Sequence, residues 1–175
     1  YNAKFCLVLG LACQAVAGAA MAQLDVNVTS HDVFWTNIVH GFGFGMAYTP
    51  MSVLAFSTLN ARLMVDGSSL FNLMRHFGSV LFISICFVVI TRGTAQGYAG
   101  LREWVTPFNE LFSMPHISGD WSVSTFGGLS AISSEIIRQA SMVGYINAFH
   151  LFAITAAISV PLTLAFRSSA KEPPN

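Results

Sequence analysis

The chain has 175 residues, 54% of them hydrophobic and only 9% charged, with a mean hydropathy of +0.61 and a formal net charge of zero. That charged fraction is far below the roughly 25% of an ordinary soluble domain, and neutrality leaves no basic footprint for nucleic acid. The three cysteines, Cys6, Cys13 and Cys86, are odd in number and sit in apolar runs without C-x-x-C spacing. They read as small buried hydrophobes, not as a disulfide framework or a zinc site.

A bilayer core of ~30 Å needs about 20 apolar residues at a rise of about 1.5 Å each. Four segments meet that length, at about 5–24, 33–57, 70–91 and 143–166, so the expected fold is an all-α polytopic membrane protein with four transmembrane helices. The first is rich in Ala and Gly. Lys4 before it and Ala20-Met21-Ala22 near its end imitate a secretory signal, but the run is longer than an h-region of about 7–15 residues. With no initiator Met, the chain is expected to begin partway through a larger protein.

The second segment lies in a stretch from Val33 to Leu59 without one charged residue. Asn37, Gly41, Gly45, Thr49 and Ser52 recur on it at steps of three or four, a stripe of small and polar groups expected to face protein. Gly41 and Gly45 form a G-x-x-x-G pair for close helix packing. Pro50 lacks an amide donor and should kink the helix near residue 46, leaving carbonyls free to line a cavity. His40, with His150 further on, titrates near neutral pH and is a candidate for proton relay or an interior hydrogen bond. Gly41 to Gly45, though glycine-rich, lacks the spacing and preceding strand of a nucleotide loop.

On the third segment Asn72, Arg75, His76 and Ser79 share one side. A guanidinium inside an apolar helix costs a few kcal/mol unless it is paired or reaches water. Arg75 therefore snorkels to the interface, anchors the structure or lines a substrate pathway, with Asp66 its nearest counter-charge in sequence. Gly78, beside Ser79, is a further packing position.

An outer connection over 92–142 follows, with 93–100 and 118–128 expected irregular. Leu129, Ile132, Ile136, Ile137 and Ala140 recur at helical spacing and predict an amphipathic helix, with Glu135 and Arg138 able to pair on its surface. The last span carries Asn147, Leu151, Thr155, Ser159 and Thr163 four apart, a line whose hydroxyls can bond their own i−4 carbonyls. Residues 167–175 form a polar tail. Acids in the first loop, Asp25 and Asp32, oppose Lys4, Arg62, Arg167 and Lys171 at the other set of ends, which predicts both ends cytoplasmic. His31 and His116 carry little weight as metal ligands. No paired carboxylates, nucleophile and base set, or phosphate loop lies in a span, so no enzyme, cofactor or metal site is expected.

Several strings taken together resemble a known family. Ile38-Val39-His40-Gly41-Phe42-Gly43-Phe44-Gly45-Met46 with Thr49-Pro50, then Asp66-Gly67-Ser68-Ser69-Leu70-Phe71-Asn72-Leu73-Met74-Arg75 and Gly78-Ser79, resemble the EmrB/QacA group of the major facilitator superfamily. Val105-Thr106-Pro107-Phe108-Asn109, Arg138-Gln139-Ala140-Ser141-Met142 and Tyr145-Ile146-Asn147-Ala148-Phe149 continue the resemblance in order. His40 stands where family members commonly carry Arg. The resemblance implies the last four of fourteen helices, part of the C-terminal bundle of a drug:proton antiporter in the inner membrane. It implies alternating access driven by the proton motive force, with an amphipathic substrate, protons and the bilayer as partners. The missing N-terminal helices of the same transporter, a periplasmic adaptor and an outer-membrane channel complete that set. Asn37, His40, Phe44, Tyr48, Thr49, Asn72, Arg75, Asn147 and His150 are then the candidates for the substrate pathway or cavity. Gly41, Gly45, Pro50 and Gly78 are the candidates for helix packing. The alternative is a stand-alone four-helix membrane scaffold that oligomerises through Gly41 and Gly45.

Overall fold

The structure, a computed structural model, describes residues 3–57, 59–106, 108–110 and 121–165. Arg167, Lys171 and His116 lie outside the described residues, as does the tail over 167–175. Among the described residues every regular element is helical: α1 (Ala3–Met21), α2 (Ser30–Phe56), a short 3-10 turn (Ala61–Leu63), α3 (Met64–Glu103) and α4 (Phe126–Ala165). Three of these, α1, α3 and α4, are long and apolar enough to cross a membrane. α2 has the length, 27 residues. Its polar residues, Thr36, Asn37, His40 and Thr49 among them, keep it out of that set of three.

α2 starts at a capping box, in which the Thr29 hydroxyl accepts from the Asp32 amide and the Asp32 carboxylate accepts from the Thr29 amide at 3.1 Å. Each satisfies one of the amides that a helix start leaves without a partner. The helix runs through Pro50, whose ring nitrogen cannot donate to the Met46 carbonyl.

α3 and α4 correct the expected boundaries. α3 begins at Met64, not 70, and continues to Glu103, so Gly93 to Gly100 is helical and not irregular. α4 begins at Phe126 and runs unbroken, so the expected amphipathic helix leads into the last span as one 40-residue helix, and 126–128 is helical instead of irregular. The described residues of the connection that lie outside a helix therefore fall within 104–125. Glycine weakens a helix by about 1 kcal/mol in water. At two of the α3 glycines, Gly93 and Gly97, the loss is offset because α4 approaches there.

The contacts fall into two compact units. The first comprises described residues of Tyr1–Gln23, Thr29–Ile83 and Phe149–Asn175, and the second those of Leu24–Val28 and Ser84–Ala148. In the first unit a stripe on α1, Gly10, Gln14, Ala17 and Gly18, is buried. A Cβ at Gly10 would lie 2.8 Å from the Gly43 carbonyl oxygen and one at Gly18 would lie 3.0 Å from Ala153 Cα, so α1 packs backbone to backbone against both α2 and α4. Lys4 Nζ donates to the Leu164 carbonyl at 2.9 Å, tying the start of α1 to the end of α4.

In the second unit Gly93 of α3 meets Gly144 of α4, and Gly97 meets Ala140. Arg138 pairs with Glu135 at 2.8 Å and also donates to the Val26 carbonyl at 3.1 Å, holding the 24–28 segment against α4.

The buried hydrophobic residues are almost all alanines, with Ile132, whereas Phe34, Phe77, Val80, Leu81 and Phe87 are exposed. Small residues inside and large apolar ones outside suit a lipid solvent, in which tails reward outward Phe and Leu while close backbone approach holds helices together.

Candidate functional site

The four helices of the first unit line an open cavity of about 300 Å³. α1 contributes Leu11 and Gln14, α2 Phe44 and Ala47, α3 Phe82, and α4 Phe152, Thr155, Ala156 and Ser159. The two hydroxyls are turned to their own helix: Thr155 Oγ1 donates to the Leu151 and Phe152 carbonyls at 3.0 and 2.9 Å, and Ser159 Oγ to Thr155 at 2.8 Å. The walls are thus apolar and aromatic, with one exception.

That exception is Gln14, 7% exposed. Its Nε2 donates to the His40 carbonyl of α2 at 2.8 Å, which fixes the amide orientation because a carbonyl can only accept. Oε1 is then buried with no hydrogen-bond partner among the described residues. A buried acceptor in that condition costs ~1–3 kcal/mol. The same α2 turn sets the His40 ring 5.5 Å from Phe152, a residue of the wall, and His40 Nδ1 is buried without a hydrogen-bond partner among the described residues.

A second chain of contacts leaves the cavity at Phe44. Its ring stacks on Tyr48 at 5.7 Å with an interplanar angle of 24°. Arg75 lies over the other ring of that pair, 5.4 Å from the Tyr48 centroid, and its Nη2 reaches Asn72 Oδ1 at 3.4 Å. Among the described residues Asp66 makes no ion pair with Arg75, and Arg75 Nε is buried without a hydrogen-bond partner. The Asn72 amide oxygen and the π face of Tyr48 thus give the cation negative surface in place of a carboxylate.

The structure therefore brings together His40, Phe44, Tyr48, Asn72 and Arg75. It does not gather the other expected positions. Asn37 is exposed and bonds its own helix at the Val33 carbonyl, Thr49 is exposed and accepts Ser52 at its carbonyl, and His150 is exposed on α4. Asn147 belongs to the second unit, where its Nδ2 lies beside Gly93. Among the packing positions, a Cβ at Gly41, Gly45 or Gly78 would meet nothing within 4 Å among the described residues, and the contact that α2 makes with α1 falls on Gly43 instead. Gln14, Phe82 and Phe152 were not singled out in the sequence. Gln14 did carry a signal, as the one amide in the apolar run over 5–22.

The charged groups with displaced titration lie away from the cavity. The Thr29 hydroxyl, then the Thr29 amide, holds the Asp32 carboxyl below its ordinary value. Arg138, then Gln139, does the same for Glu135, which in turn raises Arg138. Asp32 caps the start of α2, and Glu135 and Arg138 form an ion pair on the surface of α4.

Comparison with known proteins gives two relatives. The chain is 26% identical over 149 residues to the colistin resistance protein EmrB of Acinetobacter baumannii, covering 82% of this chain and 29% of that protein. It is 24% identical over 131 residues to the multidrug export protein EmrB of Haemophilus influenzae, covering 74% of this chain and 26% of that protein. The chain spans less than a third of the length of either. No family model matches it, and no solved structure does. The motif strings and the two relatives agree, and over most of its length the chain resembles the EmrB-type transporters of the major facilitator superfamily.

Proposed function

We propose that the chain acts as part of a proton-coupled multidrug exporter, supplying four membrane-crossing helices that enclose part of the route taken by an amphipathic compound. The observation that carries this reading is the similarity to two EmrB export proteins along most of the chain, in helices whose large apolar residues face outward. The aromatic cavity beside Phe44 and the Phe44, Tyr48 and Arg75 stack fit adaptable recognition of apolar and aromatic compounds. Alternating access, the proton motive force as energy source, and helices beyond this chain belong to the same proposal, as do a periplasmic adaptor and an outer-membrane channel.

In this reading α2 also crosses the bilayer. The Lys4 to Leu164 hydrogen bond supports it, since it brings the first end of α1 and the last end of α4 together. Three crossings leave those ends on opposite faces, whereas four return them to one face. Both ends are then cytoplasmic, in an inner membrane, as the loop charges imply.

The test is drug susceptibility and dye efflux in a pump-deficient bacterium carrying the full-length parent gene. The expected result is lowered susceptibility to several unrelated amphipathic compounds and export that stops when a protonophore is added. Unchanged accumulation of every compound, with the protein present in the membrane, overturns the proposal.

A further inference from the structure

We propose that the cavity between α1, α2, α3 and α4 is a binding site for a small aromatic molecule bearing one hydrogen-bond donor, and that Gln14 Oε1 receives that donor. The amide cannot turn its oxygen elsewhere, because Nε2 is held on the His40 carbonyl at 2.8 Å. Gln14 is more than nine-tenths buried and lines the cavity, and its oxygen has no partner among the described residues. A planar apolar molecule fills the space among Phe44, Phe82 and Phe152, where rings favour offset or edge-on partners. The volume, about 300 Å³, is at the small end of ligand pockets and matches the part of an occupant made of two or three fused or linked rings. An acyl chain would satisfy the walls and leave the amide oxygen unpaired.

Use of this site in export rests on the proposed function above, but binding does not, so the two are separable. The experiment is a fluorescence titration of the purified full-length parent in lipid nanodiscs with two dyes, N-phenyl-1-naphthylamine, which has one N–H, and its N-methyl derivative, which has none. The parent is expected to bind the N–H dye roughly tenfold more tightly, the ratio that one hydrogen bond to a buried acceptor supports. Gln14→Met, close in volume and without the amide, is expected to bind both dyes alike. Phe82→Ala, on another helix and not in contact with the amide's hydrogen bond, is expected to weaken both dyes several-fold and keep their ratio. Equal affinities in the parent overturn the proposal, as does a preference that survives Gln14→Met or binding that ignores Phe82→Ala. If Gln14→Met does not assemble, the parent's discrimination and the Phe82→Ala titration decide the matter without it. Failure of export in cells with dye binding intact removes the pump reading and leaves the site standing.

Discussion

Gly93 of α3 and Gly144 of α4 bring two helix backbones into contact: a Cβ built on Gly93 would lie 3.0 Å from Gly144 Cα, and one on Gly144 would lie 2.6 Å from the Ile90 carbonyl oxygen. The side-chain ends nearby, Asn147 Nδ2 and Thr94 Oγ1, can swing aside, but the Gly144 Cα and the Ile90 carbonyl are backbone and cannot yield locally. Gly144→Val should destabilise the protein by about 1–3 kcal/mol, the range for overpacking. Gly100→Ala, with nothing within 4 Å, should be neutral or gain up to about 1 kcal/mol of helix propensity. Thermal unfolding in detergent measures both, and equal effects from the two would remove the close-approach account.

Gly43 and Gly45, two residues apart on α2, should respond in opposite ways. A Cβ at Gly43 would meet Cys13 Cβ at 2.8 Å and the Gly10 carbonyl oxygen at 3.0 Å, whereas at Gly45 it meets nothing within 4 Å. Gly43→Leu is expected to raise protease sensitivity of α1 and α2, and Gly45→Leu to leave it unchanged. If Gly45→Leu in the full-length parent disrupts assembly as strongly as Gly43→Leu, the Gly41 and Gly45 face packs on helices outside this chain or on a second copy.

Acid should loosen the N-terminal part of α4. Glu135 has a folded-state pKa below its ordinary value, chiefly through the Arg138 hydrogen bonds. Its contribution is therefore complete at neutral pH and is lost as pH falls through and below the usual glutamate range. Hydrogen exchange over residues 24–28 and 126–140 should accelerate in that window, because Arg138 also holds the Val26 carbonyl. Glu135→Gln should flatten the pH dependence, and a pH response that persists in this variant would assign it to another group.

The stack of Arg75 on Tyr48 should appear as coupling between the two residues. In a double-mutant cycle with Arg75→Ala and Tyr48→Leu, the expected interaction is ~0.5–2 kcal/mol, the span for cation–π pairs from exposed to desolvated sites. Additive effects would show the contact to be energetically idle. In the full-length parent, Arg75→Ala with normal expression and lost export would give the guanidinium a pathway role, and lost expression would make it an anchor.

The helices were legible in the sequence because a long uncharged apolar run has few other solutions than a helix in lipid. Their ends were not. Gly93 to Gly100 reads as a break by the conventions of water, where glycine exposes backbone and adds entropy to the unfolded chain. Against Ala140 and Gly144 the same residues permit contact, and that partner stands more than forty positions away. The direction of α2 was hidden for a similar reason: three glycines lie within five residues, and only Gly10 of α1 decides that Gly43 is the one that touches. Arg75 was recognisable as a residue needing company, but its companion proved to be an aromatic ring and not Asp66. Gln14 was overlooked because a single amide amid alanines looks incidental until its neighbours are known.

The hydroxyl line of α4 has one more consequence. Thr155, Ser159 and Thr163 each direct their proton to a carbonyl of the preceding turn, at 2.8 to 3.0 Å. Their donors are saturated before any neighbour arrives, so the face they form is chemically quiet despite its composition. A helix surfaced in this way can slip along or roll against another without a hydrogen bond from these side chains being broken, and friction is left to shape alone: the ring of Phe152 and the notch at Gly18.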